Sequence, residues 1–285
     1  MGLEYLSELT INQFIALSLA EDVGDGDHSS LCCIDPSVMS KAKLIIKGNG
    51  ILAGFNLAER ILLHVDSSLK FVPFLKDGMA VKYGDIGFEV HGSALSILKA
   101  ERLLLNCMQR MSGIATKTNR LVKMIEGTNA KLLDTRKTTP NFRPFEKWAV
   151  LIGGGKNHRY NLADMIMLKD NHIDYAGGIV KAVENAKTYV KEKGLSIGIE
   201  VETRNLAEVK EALSVDGIQR IMLDNMSCEK MVEAIKLING KTETEASGGI
   251  TEETIVDVAK TGIDYISMGA LTHSYTSLDI SLKAF

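Results

Sequence analysis

Residues 153–159 read GGGKNHR: three glycines, then Lys156, Asn157, His158 and Arg159 in consecutive positions. Glycines strip the backbone of side chains, and the residues that follow crowd positive charge and hydrogen-bond donors onto it. The surrounding window, Asp134 to His172, holds seven Lys and Arg against four Asp and Glu, in a chain whose formal net charge is −3. A local excess of cations on an acidic protein is a place to hold an anion. Arg136 and Arg159 can grip a carboxylate or phosphate with two parallel hydrogen bonds, whereas Lys137 and Lys169 act as point charges. His158 can donate to a carboxylate or move a proton.

A second set of residues answers the first. Glu200 and Asp224 each close an apolar run. Acids placed there can accept hydrogen bonds from sugar hydroxyls, bind Mg²⁺ through oxygen, or favour a cationic transition state. Capping the following helices is the plainer use of such acids. Further on, ASGGI and SMGAL put small residues (Ser247, Gly248, Gly249 and Ser267, Met268, Gly269, Ala270) at two successive strand ends, where bare N–H groups suit a phosphate. Thr135 lies beside Arg136. Arg143 and Lys147 read as surface charges, and Trp148 as packing.

These residues need elements to carry them. TINQFIALSLAEDV is a helical pattern with Thr10 at the N-cap. KAKLIIKG and LKFVPF read as strands, with the helical NLAERILLHV between them, and DGMAVKYGDIGFEVHG reads as a hairpin. A long helix starts near Ser93 and is expected to end at Gly113. From about residue 130 the pattern becomes strictly alternating. The strands AKLLD, DMIML, SIGIEVE, QRIML, TETEAS and DYISM are separated by helical stretches such as NLAEVKEAL and CEKMVEAIKLI. That alternation implies parallel strands and crossover helices. Because six successive strands end in chemically active residues, an α/β barrel, whose strand C-termini share one face, fits better than an open doubly wound sheet. About 155 residues remain for it, short of the roughly 250 that eight units need. Fewer than eight strands are expected.

Composition excludes several classes. A pI near 6.1 argues against a general nucleic-acid binder. No apolar run reaches the length of a membrane span. MGLEYLSELT lacks the pattern of a signal peptide, and Leu6 stands where a myristoylation site wants Ser or Thr. Cys32, Cys33, Cys107 and Cys228 form no C-x-x-C pair and read as free thiols of a reducing cytoplasm.

LDTRKTTP, GGGKNHR and LKDNHI, preceded by ERLLLNCMQRMSGIAT, closely resemble the quinolinate phosphoribosyltransferase family, the carboxylating nicotinate-nucleotide pyrophosphorylases. The resemblance runs from EDVGDGDHSS to SMGALTHS. Asn141 replaces the family's usual Gly after TTP, and SVDGIQ marks a small insertion. The resemblance implies an N-terminal α/β sandwich domain (1–112) followed by an incomplete α/β barrel (113–285), the last helix packing back on the N-terminal domain. It implies transfer of phosphoribose from phosphoribosyl pyrophosphate to quinolinate with loss of CO₂ in NAD biosynthesis, using Mg²⁺, in the cytoplasm, without nucleic acid or membrane.

Carried onto this sequence, the resemblance gives Arg136, His158 and Arg159, with Thr135 and Lys169 beside them, the carboxylates of quinolinate. Lys137 faces the pyrophosphate. Glu200 and Asp224 hold the ribose and Mg²⁺, directly or through water. Lys137, Lys169, Glu200 and Asp224 form the catalytic set. Ser247–Gly249 and Ser267–Ala270, with His273, cradle the 5-phosphate. Arg102 enters a neighbouring subunit's site, making a homodimer the minimum unit. Of Glu200 and Glu202, expected on opposite sides of their strand, Glu200 is favoured as the one facing the barrel. The rival readings are a same-fold paralogue of the molybdenum-operon type with another anionic acceptor, a Schiff-base lyase using Lys169, and a non-catalytic anion sensor.

Overall fold

The computed structural model describes residues 5–285. Its elements follow the patterns above in most places. They are α1 (Glu8–Val23), α2 (His28–Cys33), β1 (Met39–Ile46), β2 (Gly50–Ile51), α3 (Phe55–Val65), β3 (Lys70–Pro73), β4 (Ala80–Val81), β5 (Ile86–Ser93) and α4 (Ala94–Met124). There follow β6 (Lys131–Leu133), α5 (Arg143–Ile152), β7 (Met165–Leu168), α6 (Asp170–Ala176), α7 (Ile179–Lys193), β8 (Gly198–Thr203), α8 (Leu206–Ala212) and β9 (Arg220–Asp224). The last are α9 (Cys228–Ile238), β10 (Glu243–Ser247), α10 (Ile255–Lys260), β11 (Tyr265–Ser267), α11 (Ala270–His273) and β12 (Ile280–Ala284). Two compact units share the chain. The first comprises Met1–Asn119, Thr138–Gly154 and Ala270–Phe285, and the second Arg120–Lys137 and Gly155–Gly269.

The first unit is built on an antiparallel sheet in the order β12-β1-β5-β3. Alternation along its strands buries Ala42, Leu44 and Ile46 on β1, Phe88 and Val90 on β5, and Ile280 and Leu282 on β12. The apolar stripe of α3, with Leu57, Ala58, Ile61 and Leu62, is also buried. Phe55, Phe71 and Phe88 form an aromatic cluster, the last two 4.7 Å apart. Gly54 cannot cap α3, so the Asp77 carboxylate does so, accepting the Phe55 and Asn56 amides at 2.8 and 3.3 Å.

Four expectations change here. Ser7, rather than Thr10, caps α1, its hydroxyl accepting the Thr10 amide at 3.1 Å. The expected hairpin does not form: β4 pairs with β2, whereas both edges of β5 are taken by β1 and β3. The long helix passes through Gly113 to Met124, because that glycine serves close packing: a Cβ there would collide with the Thr276 backbone. Lys147, read as a surface charge, is fully buried, since α5 is covered around most of its circumference. Beyond the last helix, α11, stands a strand that the sequence pattern does not give, β12, whose alternating Ile280 and Leu282 pair it with β1.

The second unit holds six parallel strands in the order β7-β8-β9-β10-β11-β6. All six expected strands are present, and their number makes the barrel incomplete. Outward residues such as Ile199, Val201, Ile221, Leu223, Ala246 and Ile266 are buried and apolar, as crossover helices require. No strand pairing joins β6 to β7. Instead the start of KNHR runs along the free edge of β6. The Lys156 amide donates to the Leu132 carbonyl at 2.8 Å, and its carbonyl accepts the Asp134 amide at 3.2 Å. The cationic loop is thereby tied to the edge at which the barrel is open.

Candidate active site

Several inner positions of β8, β9 and β10 are polar (Glu200, Glu202, Arg220 and Glu245), where most α/β barrels pack branched aliphatic side chains. Loop 156–159 is fixed by Asp134, fully buried at the end of β6: its carboxylate accepts the His158 amide at 2.9 Å and the Asn157 side-chain amide at 2.6 Å. This turns His158 and Arg159 inward, where both are 6% exposed. The Arg159 guanidinium donates to the Met165 carbonyl at 3.1 Å and touches the Met167 sulfur at 3.5 Å, so β7 holds it.

Burial first, and then the charge of Arg136, pull the Arg159 pKa below its usual value, against the pull of Glu200 and Asp164. Two guanidiniums, one following β6 and one on the loop along its edge, therefore repel each other. Arg136 and Lys137 are exposed, and the Lys137 amide donates to the Thr135 hydroxyl at 3.0 Å. Such an arrangement is relieved by an anion.

The acids lie opposite. Glu200 and Glu202 are two residues apart and therefore share a face of β8, which corrects the expectation that they diverge. Both look inward. Glu200 is the deeper, fully buried, with Oε2 3.0 Å from His158 Nε2. Glu202, nearer the strand's end, receives the Lys169 ammonium at 2.7 Å, and Lys169 itself is 43% exposed. Asp224 ends β9 and accepts the Asn225 side-chain amide at 2.7 Å. The Asn225 amide in turn donates to the Ser247 carbonyl at 2.9 Å. Gly248 and Gly249 follow with φ of +89° and +62°, and a Cβ on Gly248 would collide with the Asn225 side chain. Ser267 and Met268 are buried; the Met268 amide is taken by the Leu133 carbonyl at 3.0 Å.

The strand ends of the second unit thus gather Thr135, Arg136, Lys137, His158, Arg159, Lys169, Glu200, Asp224, Ser247–Gly249 and Ser267–Gly269. Arg102, Ala270 and His273 belong to the first unit; Arg102 and His273 are exposed there. Asn141, standing where the family usually has Gly, takes φ +63°, a left-handed conformation that Asn tolerates.

Three contributors escape the sequence reading, Asp134, Arg220 and Glu245, and a fourth, Glu202, is passed over there in favour of Glu200. Arg220 and Glu245 form a buried ion pair at 2.8 Å below the strand ends. Their signal was present in the alternation of TETEAS, which puts Glu243, Glu245 and Ser247 on one face. Glu245 Oε2 is also 3.3 Å from His158 Nε2. Burial disfavours a charged imidazole, yet Glu200 and Glu245 outweigh it and hold the His158 pKa up to about 9. The Arg159 amide opposes a second proton, because Nδ1 accepts its N–H at 2.7 Å. Both influences agree on a proton at Nε2. Burial, with the charge of Glu245, raises the Glu200 carboxyl. At Glu245 burial is outweighed by His158, Arg220 and Ser267, and its pKa is lowered.

Residues 27–112 match the family of the quinolinate phosphoribosyl transferase N-terminal domain, and residues 114–283 that of its C-terminal domain. A quinolinate phosphoribosyltransferase (decarboxylating) from Nicotiana tabacum is 48% identical over 284 residues, covering 94% of this chain and 81% of the relative. The crystal structure of NadC from Streptococcus pyogenes aligns with a TM-score of 0.92 at 42% identity, over 98% of this chain and 97% of that one. The nicotinate-nucleotide pyrophosphorylase structure from Francisella tularensis gives 0.93 at 38% identity, covering 100% and 99% of the two chains. By both its domains and the run of its active-site motifs, the chain belongs to the quinolinate phosphoribosyltransferase family.

Proposed function

We propose that the protein joins quinolinate to phosphoribosyl pyrophosphate and releases nicotinate mononucleotide, pyrophosphate and CO₂, a step of de novo NAD biosynthesis. One observation carries the reading: Arg136 and Arg159 stand close enough for one to depress the other's pKa, with Arg159 almost dry. A pyridine dicarboxylate brings two negative charges that this pair of guanidiniums is suited to bind. Lys169 and His158 flank them, and Lys137 faces the pyrophosphate. Ser247–Gly249 offer bare backbone to the 5-phosphate, with Ser267–Gly269 as the further phosphate residues.

Departure of pyrophosphate leaves positive character at the ribose C1, which carboxylates at the strand ends favour. Glu202 and Asp224 are the pair we assign to the ribose, in preference to the fully buried Glu200. The pyridine nitrogen bonds to C1 as pyrophosphate leaves with its electron pair. The resulting cationic ring then accepts the electrons of the C–C bond broken as CO₂ departs, and a proton takes the vacated carbon. Arg136 and Arg159 orient the carboxylates through this sequence. A grip that tightened on the departing group in the ground state would slow it.

The donors fit Mg²⁺. Among the described residues the only three-membered cluster of metal-capable side chains is His158, Glu200 and Glu245, which is buried. Mg²⁺ prefers one or two carboxylates with substrate phosphates and water, and Glu202 and Asp224 offer such oxygens, directly or through water. When bound, the ion neutralises the pyrophosphate.

We further assign the enzyme to the cytoplasm and to a homodimer in which Arg102 serves the neighbouring subunit's site. Leu98, one turn before Arg102 on α4, is 41% exposed, as an interface residue would be in an isolated chain. No helix among the described residues is long and apolar enough to cross a membrane. Incubation with quinolinate, phosphoribosyl pyrophosphate and Mg²⁺ is expected to yield nicotinate mononucleotide. Absence of product, or equal use of nicotinate, overturns the reading. Mixing the Arg102→Ala and Lys169→Ala chains, each inactive alone, should restore part of the activity if sites are shared.

A further inference from the structure

Below the strand ends lies a chain of groups, buried at Arg220, Glu245, Glu200 and His158 and half-buried at Glu243 and Tyr265, for which the proposed reaction has no direct use. Arg220 donates through Nη1 to Glu245 at 2.8 Å and through Nε and Nη2 to Glu243 at 3.2 and 3.0 Å. Its guanidinium carbon sits 4.0 Å from the centre of the Tyr265 ring, whose hydroxyl donates to Glu243 at 3.0 Å. Held on three sides, Arg220 fixes Glu245 from beneath. Glu245 and Glu200 then meet His158 Nε2 at 3.3 and 3.0 Å, and Nδ1 on the other side of the ring accepts the Arg159 amide. Apolar residues of similar volume would stabilise such an interior as well as an ion pair does, or better. The ionic chain therefore calls for a use other than stability.

We propose that Glu245, pinned by Arg220, is a positioning residue: it keeps the His158 proton on Nε2, leaves Nδ1 open to the Arg159 amide, and so sets the backbone from which Arg159 reaches the substrate carboxylate. The inference rests on the reading of Arg159 as a quinolinate ligand. Glu243 provides the internal contrast. It shares Arg220 with Glu245, yet its other oxygen accepts the Tyr265 hydroxyl at 3.0 Å, whereas Glu245 is the one that lies 3.3 Å from His158 Nε2. Glu243, with a side chain 40% exposed, serves the fold through Arg220 and Tyr265, whereas the fully buried Glu245 also faces His158, so the His158 tautomer is the readout that separates positioning from a structural role.

The test uses the full-length protein labelled with ¹⁵N-histidine, the His158 signal being assigned by its loss in H158Q. Recorded above pH 9, where the ring has given up any second proton, the unaltered protein is expected to show His158 as the Nε2–H tautomer. E245Q should shift it to a mixture and raise the quinolinate KM about tenfold, the scale of one lost charged hydrogen bond. The phosphoribosyl pyrophosphate KM should stay within about twofold, and E243Q should alter neither readout. If E245Q does not fold, R220K, which keeps the cation but loses the three-way hold, should give the same shifts in smaller measure. An unmoved tautomer, or equal effects of E243Q and E245Q, overturns the proposal. So does a shifted tautomer with an unchanged quinolinate KM. The activity of the unaltered protein separately decides the reading on which the proposal rests.

Discussion

Phe88 and Glu245 occupy similar places: each stands in the middle of a strand, and neither has exposed surface. Their neighbours differ completely. Phe88 meets Phe55 and Phe71 in a dry aromatic cluster, whereas Glu245 meets Arg220, His158 and Ser267. The first environment is held by the removal of apolar surface from water, a non-directional force that tolerates small shifts of each ring. The second depends on charges that must meet at hydrogen-bond distance, and that cost free energy if any partner is removed. One unit of the chain uses its interior to stay folded. The other uses part of its interior to hold side chains at fixed angles beneath a site.

Substitutions can break this contrast. Phe88→Ala should lower stability by about 3–5 kcal/mol in denaturant titration, leaving kcat/KM of the folded enzyme almost unaltered. A matching collapse of catalysis would mean that the two interiors are not separable in function. Arg136→Ala should do the reverse, cutting kcat/KM for quinolinate by about a hundredfold with little change in melting temperature. Equal losses of affinity for quinolinate and phosphoribosyl pyrophosphate would refute its assigned role.

Glu202→Gln should reduce kcat by about tenfold, because a charge facing the ribose acts mainly in the transition state. Were Glu202→Gln silent in turnover assays, the ribose would belong elsewhere. Gly248→Ala should raise the phosphoribosyl pyrophosphate KM by about fivefold, through the roughly 1 kcal/mol that a left-handed residue and a displaced Asn225 side chain cost. The smallest expected effect is chemical. Burial pushes the Cys107 thiol up to about 12, so iodoacetamide should label Cys32 and Cys33 but spare Cys107 until the protein unfolds. Labelling of Cys107 in the native protein would show that the first unit's interior is less dry than its packing implies.

The six parallel strands were legible because apolar triplets flanked by helical stretches repeat, and the cationic loop because charge stood out against an acidic chain. Local signals failed where a distant segment decided the outcome. Gly113 reads as a helix stop, but it is a point of contact for Thr276. The stretch around Gly84 reads as a hairpin, but β5 finds better partners in β1 and β3. Glu200 and Glu202 were separable only by depth, which a strand pattern does not carry.

Residue type and spacing by themselves determined the parallel strands, the fewer-than-eight barrel, and the side chains able to hold two anionic substrates. Short-range periodicity and charge are written directly along the chain. Only the tertiary structure decided that His158 turns inward to Glu200 and Glu245, that Lys169 pairs with Glu202, and that Arg220 braces the whole from below. Those pairings join residues tens of positions apart. Their partners are selected by strand register and burial, which exist once the sheet has closed far enough to bring its inner faces together.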